Sequence, residues 1–88
     1  METKLFKQFA ITNNFLDGLK SSEQDKSKVK ELGFTTFFEL YDDDDVKYYS
    51  GYMHPDIEDE FIPLDWAMYD SGCTYIKIRN SNGKMEIL

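Results

Sequence analysis

The chain has 88 residues, 41% hydrophobic and 16% aromatic, with a formal net charge of −7. That is one domain, 1–88, with a small core; the apolar content excludes a wholly disordered chain, and no apolar run approaches the ~20 residues that span a bilayer. A lone cysteine, Cys73, excludes an internal disulfide and a cysteine-based zinc site, and a lone histidine, His54, excludes a multi-histidine metal centre within one chain.

The start, Met-Glu-Thr-Lys-Leu-Phe-Lys, lacks the apolar h-region of a signal peptide, so a cytoplasmic protein is expected. Leu5, Phe6, Phe9, Leu16 and Leu19 fall near helical spacing and predict a helix within 3–19, bent or broken at Asn13-Asn14 and weakened by Gly18. Ser22-Glu23-Gln24-Asp25 has the form of a capping box with Asp at the Glu position, and Gly33 stands where a C′ glycine would close a helix over 23–32. Only Val29 and Leu32 are clearly apolar in that helix, so it should lie mostly solvated.

From Gly33 the pattern changes. Phe34–Tyr41 and Val46–Met53 are rich in strand formers and predict a β-hairpin with Asp42–Asp45 at its tip. His54–Gly72 reads as a long connection, in which Pro63 restricts any strand to an edge. Cys73–Arg79 and Lys84–Leu88 predict a second hairpin around Asn82-Gly83. A two-residue loop would set Arg79 opposite Glu86 and Ile78 opposite Ile87, with Ile76, Ile78, Met85 and Ile87 sharing one face. The expected architecture is α+β: an antiparallel β-sheet of about four strands with one or two N-terminal helices packed on one face. Phe34, Phe37, Phe38, Phe61 and Trp66 are the expected anchors.

The charge is unevenly placed. Residues 1–33 carry six lysines against five acids and residues 71–88 three bases against Glu86, whereas residues 34–70 carry eleven acids against Lys47 alone. So acidic a middle argues against direct binding of nucleic acid, which needs basic patches. Asp42–Asp45 fail the EF-hand template, since a loop starting at Asp42 has Val46, Lys47 and Met53 at its fifth, sixth and twelfth positions. No glycine-rich phosphate loop, nucleophile elbow or metal-ligand spacing occurs, so no catalytic residue, metal ligand or cofactor is assigned.

Three readings of the acids stay open: a solvated surface, a protein-binding face, and a carboxylate site for a divalent metal. Asp42, Asp43, Asp44 and Asp45 lie on one side of the expected tyrosine strand, and Asp56, Glu58, Asp59 and Glu60 on the other. Carboxylates on alternate strand residues would sit roughly 6.6 Å apart, comparable to phosphates along a nucleic-acid strand. Tyr48, Tyr49 and Tyr52 add aromatic groups suited to a partner rich in Arg and Lys, alternation placing Tyr48 and Tyr52 on one side and Tyr49 on the other.

Ile76, Ile78, Ser81-Asn82-Gly83 and Ile87-Leu88 resemble the closing hairpin of the phage uracil-DNA glycosylase inhibitors, acidic DNA mimics, over about fifteen residues. The Glu-Ser-Ile signature of that family has no counterpart in this chain. Phe61-Ile-Pro-Leu64, Trp66 and Asp70-Ser-Gly-Cys73 followed by Tyr75-Ile-Lys-Ile78 are similar to the SUKH toxin-immunity proteins over about thirty residues, without that family's Leu-Pro helix and Asn-Gly-Gly step. Both resemblances imply a small acidic protein that neutralises another protein by binding it, as phage anti-CRISPR proteins do by analogy. The expectation is a non-enzymatic inhibitor, encoded by a phage or mobile element and acting in the host cytoplasm. Its acidic face would dock on the basic, nucleic-acid-binding surface of a bacterial defence or nucleic-acid-processing protein. An immunity protein against a nuclease toxin is the alternative, and a homodimer through a sheet edge stays open.

Overall fold

Phe9–Asn14 is the strand around which one half of the sheet is built, not part of a helix. A computed structural model describes residues 3–88, in which the strands are β1 (Lys4–Leu5), β2 (Phe9–Asn14), β3 (Leu19–Lys20), β4 (Thr36–Tyr41), β5 (Lys47–Met53), β6 (Tyr75–Arg79) and β7 (Met85–Ile87), and the helices are α1 (Glu23–Glu31) and α2 (Ile62–Ser71). The class is α+β and the sheet antiparallel as expected, but it has seven strands rather than about four, ordered β1-β2-β5-β4-β6-β7, with β3 also paired to β2.

The expected helix within 3–19 fails for a physical reason. Leu5, Leu16 and Leu19, which supply the helical spacing, are exposed, whereas Phe9, Ala10, Ile11 and Thr12 are buried one after another. A strand flanked by strands and covered on both faces buries every side chain and shows no alternation. The β-branched pair Ile11-Thr12 also suits a strand better than a helix. Asn14 ends β2 by accepting from the backbone N–H groups of Leu16 and Asp17, and Gly18, with φ +68°, turns the chain into β3.

The helix at 23–31 forms as its sequence dictates. Ser22 Oγ accepts from Asp25 N at 3.1 Å, and Gly33 beyond the last turn has φ +92°. The second helix is not N-terminal; it lies within the expected connection His54–Gly72. Asp59 Oδ1 accepts from Phe61 N at 2.9 Å, Pro63 stands in the first turn where no intrahelical N–H is needed, and Gly72 closes the helix at φ +79°. That Pro-then-Gly spacing is present in the sequence.

The helices lie on opposite faces of the sheet rather than on one. Leu64 and Ala67 of α2 pack with Phe9, Ile11, Phe38, Leu40, Met53 and Ile76 in the main core, with Trp66 against its edge. Burying a side chain such as Phe38 or Leu40 contributes about 1.5–3 kcal/mol. On the other face Val29 of α1 packs with Ala10, Phe34 and Tyr52. Phe61, an expected anchor, is exposed at the start of α2. No helix among the described residues is long and apolar enough to cross a membrane.

The C-terminal hairpin exists but its register is one residue off. Arg79 faces Met85, Ile78 faces Glu86 and Lys77 faces Ile87. The loop has three residues, closed by Asn80 N to Lys84 O and Gly83 N to Asn80 O, with Gly83 at φ +80°. The extra residue moves Met85 and Ile87 onto the Lys77 and Arg79 face, away from the main core.

Candidate protein-docking face

The β4–β5 hairpin has Asp42–Asp45 at its tip as expected, and its carboxylates are not equivalent. Asp42 Oδ1 accepts from Asp44 N at 2.9 Å and from Val46 N at 3.0 Å, and Asp42 N donates to Val46 O. The Val46 N–H above all, helped by the Tyr48 hydroxyl and the Asp44 N–H, holds the Asp42 carboxyl below its ordinary range. Asp45 takes a left-handed conformation with φ 61° and accepts from the Tyr75 hydroxyl. Asp43 and Asp44 are exposed.

Two tyrosines of the acidic middle, Tyr41 and Tyr49, are bonded to its carboxylates. Tyr41 OH donates to Glu39 Oε1 at 3.0 Å and Tyr49 OH to Asp70 Oδ2 at 2.6 Å, and beyond the middle Tyr75 donates to Asp45. Burial first, then the partner carboxylate, pushes Tyr41 and Tyr49 up to about 12, and the Asp45 hydrogen bond is the main cause for Tyr75, also about 12. The Tyr48 phenol is raised mainly by the neighbouring Asp42 carboxylate.

A β-bulge between Leu40 and Tyr41 breaks the expected alternation of tyrosines: Tyr48 packs beside Tyr49 against the main core, and Tyr52 lies apart from both, against Phe37. Of the three, Tyr49 is buried and Tyr48 and Tyr52 are half-buried. The openly presented tyrosine is Tyr69, 97% exposed, on α2. Reading this segment as a connection misses its outward residues Phe61, Met68 and Tyr69. The Pro63 and Gly72 punctuation is the signal that finds them.

Asp56, Glu58, Asp59 and Glu60 are exposed in the loop between β5 and α2. They sit at the opposite end of β5 from the aspartate tip, so the two clusters do not meet. Helix α2 spans the gap, starting just after Glu60 and ending at Ser71 near the tip, where Thr74 N donates to Tyr41 O. Its exposed Asp65 and Asp70 continue the negative charge from one cluster towards the other. The strand spacing comparable to nucleic-acid phosphates is absent: within 34–70 only Glu39 lies in a strand, and it pairs with Lys47 at 2.7 Å. The acids occupy loops and a helix.

Bases are sparse around the acidic middle, although Lys7 lines a recess with Glu58 and Ile62 at the start of α2. No Lys or Arg lies between Lys47 and Lys77. Lys77 and Arg79 lie over Tyr41 and Phe37 at 4.6 Å on the face opposite α2, and Lys30 lies over Tyr52 at 5.6 Å on that same face. Lys4, over Trp66 at 5.3 Å, is a cation on the α2 side. A groove of about 460 Å³ between β1 and α1, lined by Leu5, Val29 and Leu32 with Asp25 and Lys28 at its rim, takes no residue from the acidic middle.

Cys73 is buried, and burial pushes its thiol up to about 11. His54 Nδ1 accepts from Asp56 N at 3.0 Å in the loop. Among the described residues no group of three or more His, Cys, Asp or Glu side chains is arranged to hold a metal ion. Compared with family models, curated proteins and solved structures, the chain matches none.

Proposed function

We propose that this chain is a non-enzymatic inhibitor that docks on a basic, nucleic-acid-binding surface of another protein. The observation that carries this reading is the distribution of charge. Exposed carboxylates at both ends of β5 are joined along α2 by Asp65 and Asp70, while Lys77 and Arg79 face the other way. Such a field speeds encounter with a basic surface and disfavours free nucleic acid. Because the acids sit on loops and a helix, the charge acts as a field and a rim rather than as a ladder of phosphate substitutes.

The test is affinity capture from bacterial lysate at low and high salt, with wild type and a variant carrying Asp43→Asn, Asp44→Asn, Asp56→Asn, Glu58→Gln and Glu60→Gln. These residues are exposed, and none supplies the Asp42 or Asp59 loop contacts. An electrostatic interface loses its partner in the variant and weakens as the Debye length shrinks from ~10 Å to ~3 Å. A partner retained equally by both proteins at both salts would overturn the reading.

A further inference from the structure

Helix α2 is apolar on the side it buries and also on the side it shows. Phe61, Met68 and Tyr69 are 42%, 53% and 97% exposed. With Asp65 they follow i, i+4, i+7, i+8 spacing and form one outward stripe. A surface helix that uses one face for its core carries polar residues on the other. In α2 that outer face presents aromatic and thioether groups, the types enriched where proteins meet.

We infer that this outer face of α2 is the docking element, and that its occupant is an apolar recess on a protein surface rimmed by Arg and Lys. The inference rests on the proposed function and names the part of the acidic surface that makes contact. Charge selects the occupant. Glu58, Asp59 and Glu60 precede the stripe, Asp65 lies within it, and α2 contains no base. A second copy related by a twofold axis would bring these carboxylates against each other, because such an interface places the same patch on both sides. A basic rim neutralises them, and Phe61, Met68 and Tyr69 supply the apolar area that fixes the pose.

Amide shifts of the labelled full chain can be followed in titrations with three short peptides. One is an arginine peptide with a central Trp-Leu pair, the second has Gly-Gly in place of that pair, and the third has Trp-Leu flanked by glycine. The inference expects the first to shift the amides of Phe61, Asp65, Met68 and Tyr69 and to bind at least about ten-fold tighter than the second, a difference of about 1.4 kcal/mol. A Met68→Ser, Tyr69→Ser variant should lose that advantage while keeping its weak response to the second peptide. Equal binding of both arginine peptides, or shifts confined to the hairpin tip or the β1–α1 groove, would overturn the α2 inference and leave the charge-based function standing. Binding of the glycine-flanked peptide as tight as the first would remove the basic rim from the inference. No response to any arginine peptide would sink both. Concentration-dependent shifts on α2 without peptide would make a second copy the occupant and reject the basic partner.

Discussion

Asp45 stands in the β4–β5 loop where Gly83 stands in the β6–β7 loop. Both residues are left-handed, at φ 61° and φ 80°, and each donates its backbone N–H to the carbonyl three residues back, on Asp42 and Asn80. Asp42 and Asn80 also match: each side-chain oxygen accepts from the backbone N–H groups two and four residues on. The two tips are the same three-residue loop, so the aspartate run contains a structural frame, Asp42 and Asp45, around the two exposed charges Asp43 and Asp44.

The equivalence predicts the outcome of substitution. Asp42→Asn should cost less than Asp42→Ala, because the amide oxygen accepts the same two bonds as Asn80 does but without the charge, whereas Asp42→Ala should lower the melting temperature by roughly 5 °C as two backbone donors lose their acceptor. Asp45→Ala should cost about 1 kcal/mol, since alanine tolerates the left-handed region poorly. Asp45→Asn should be tolerated. Thermal unfolding followed by circular dichroism separates these cases.

The Asp42 carboxyl, held below its unfolded value of 3.8, links the same loop to pH. A depressed carboxylate contributes stability that is present above its unfolded pKa and lost as pH falls through the lower folded value. Wild type should therefore exceed Asp42→Ala in stability at neutral pH, and the gap should shrink below about pH 4. A gap that stays constant down to about pH 2 in urea titrations would show that the charge on Asp42 is irrelevant.

Tyr41 and Tyr49 act at the alkaline end. Both phenols are raised to about 12 from 10.0, so the stability they contribute is full below pH 10 and is lost as pH rises towards 12. Absorbance should show tyrosinate forming late and together with unfolding. Tyr49→Phe should remove part of that alkaline dependence and cost about 1–2 kcal/mol at neutral pH, because Asp70 and Ser71 lose their shared partner.

Gly51 is a steric requirement of the β2–β5 pair. A Cβ there would overlap the Ala10 carbonyl oxygen and press on the Ile11 backbone at 3.1 Å. Gly51→Ala should cost roughly 3 kcal/mol, measured as a lower urea midpoint, because backbone rather than a flexible side chain must move. At Gly18 an added Cβ would meet nothing within 4 Å, so Asn should be tolerated there despite the positive φ.

Cys73 supplies an internal reporter of unfolding. Its burial and its thiol raised to about 11 make it slow towards thiol reagents at neutral pH. Labelling should follow opening of the main core and accelerate in Gly51→Ala. Rapid labelling of the native protein would show that the α2–β6 corner opens independently.

Local chemistry is legible where a few neighbouring residues decide the outcome. The Ser22 cap with Gly33, the two hairpins and the aspartate tip follow from hydrogen bonds and backbone preferences within a handful of positions. The Pro63 and Gly72 boundaries of α2 are equally present in the sequence, since proline opens a helix as readily as it interrupts a strand.

Tertiary structure decides what depends on distant partners. Phe9–Thr12 is a strand because β1 and β5 pair with it while both of its faces are covered, and no local period records that. The acidic middle is visible as composition alone. Its division into two ends of β5, the pairing of Tyr49 with Asp70, and the exposed Met68 and Tyr69 between the clusters arise only when α2 folds back across the sheet. Sequence determines how much charge the chain carries; long-range packing determines which way that charge faces.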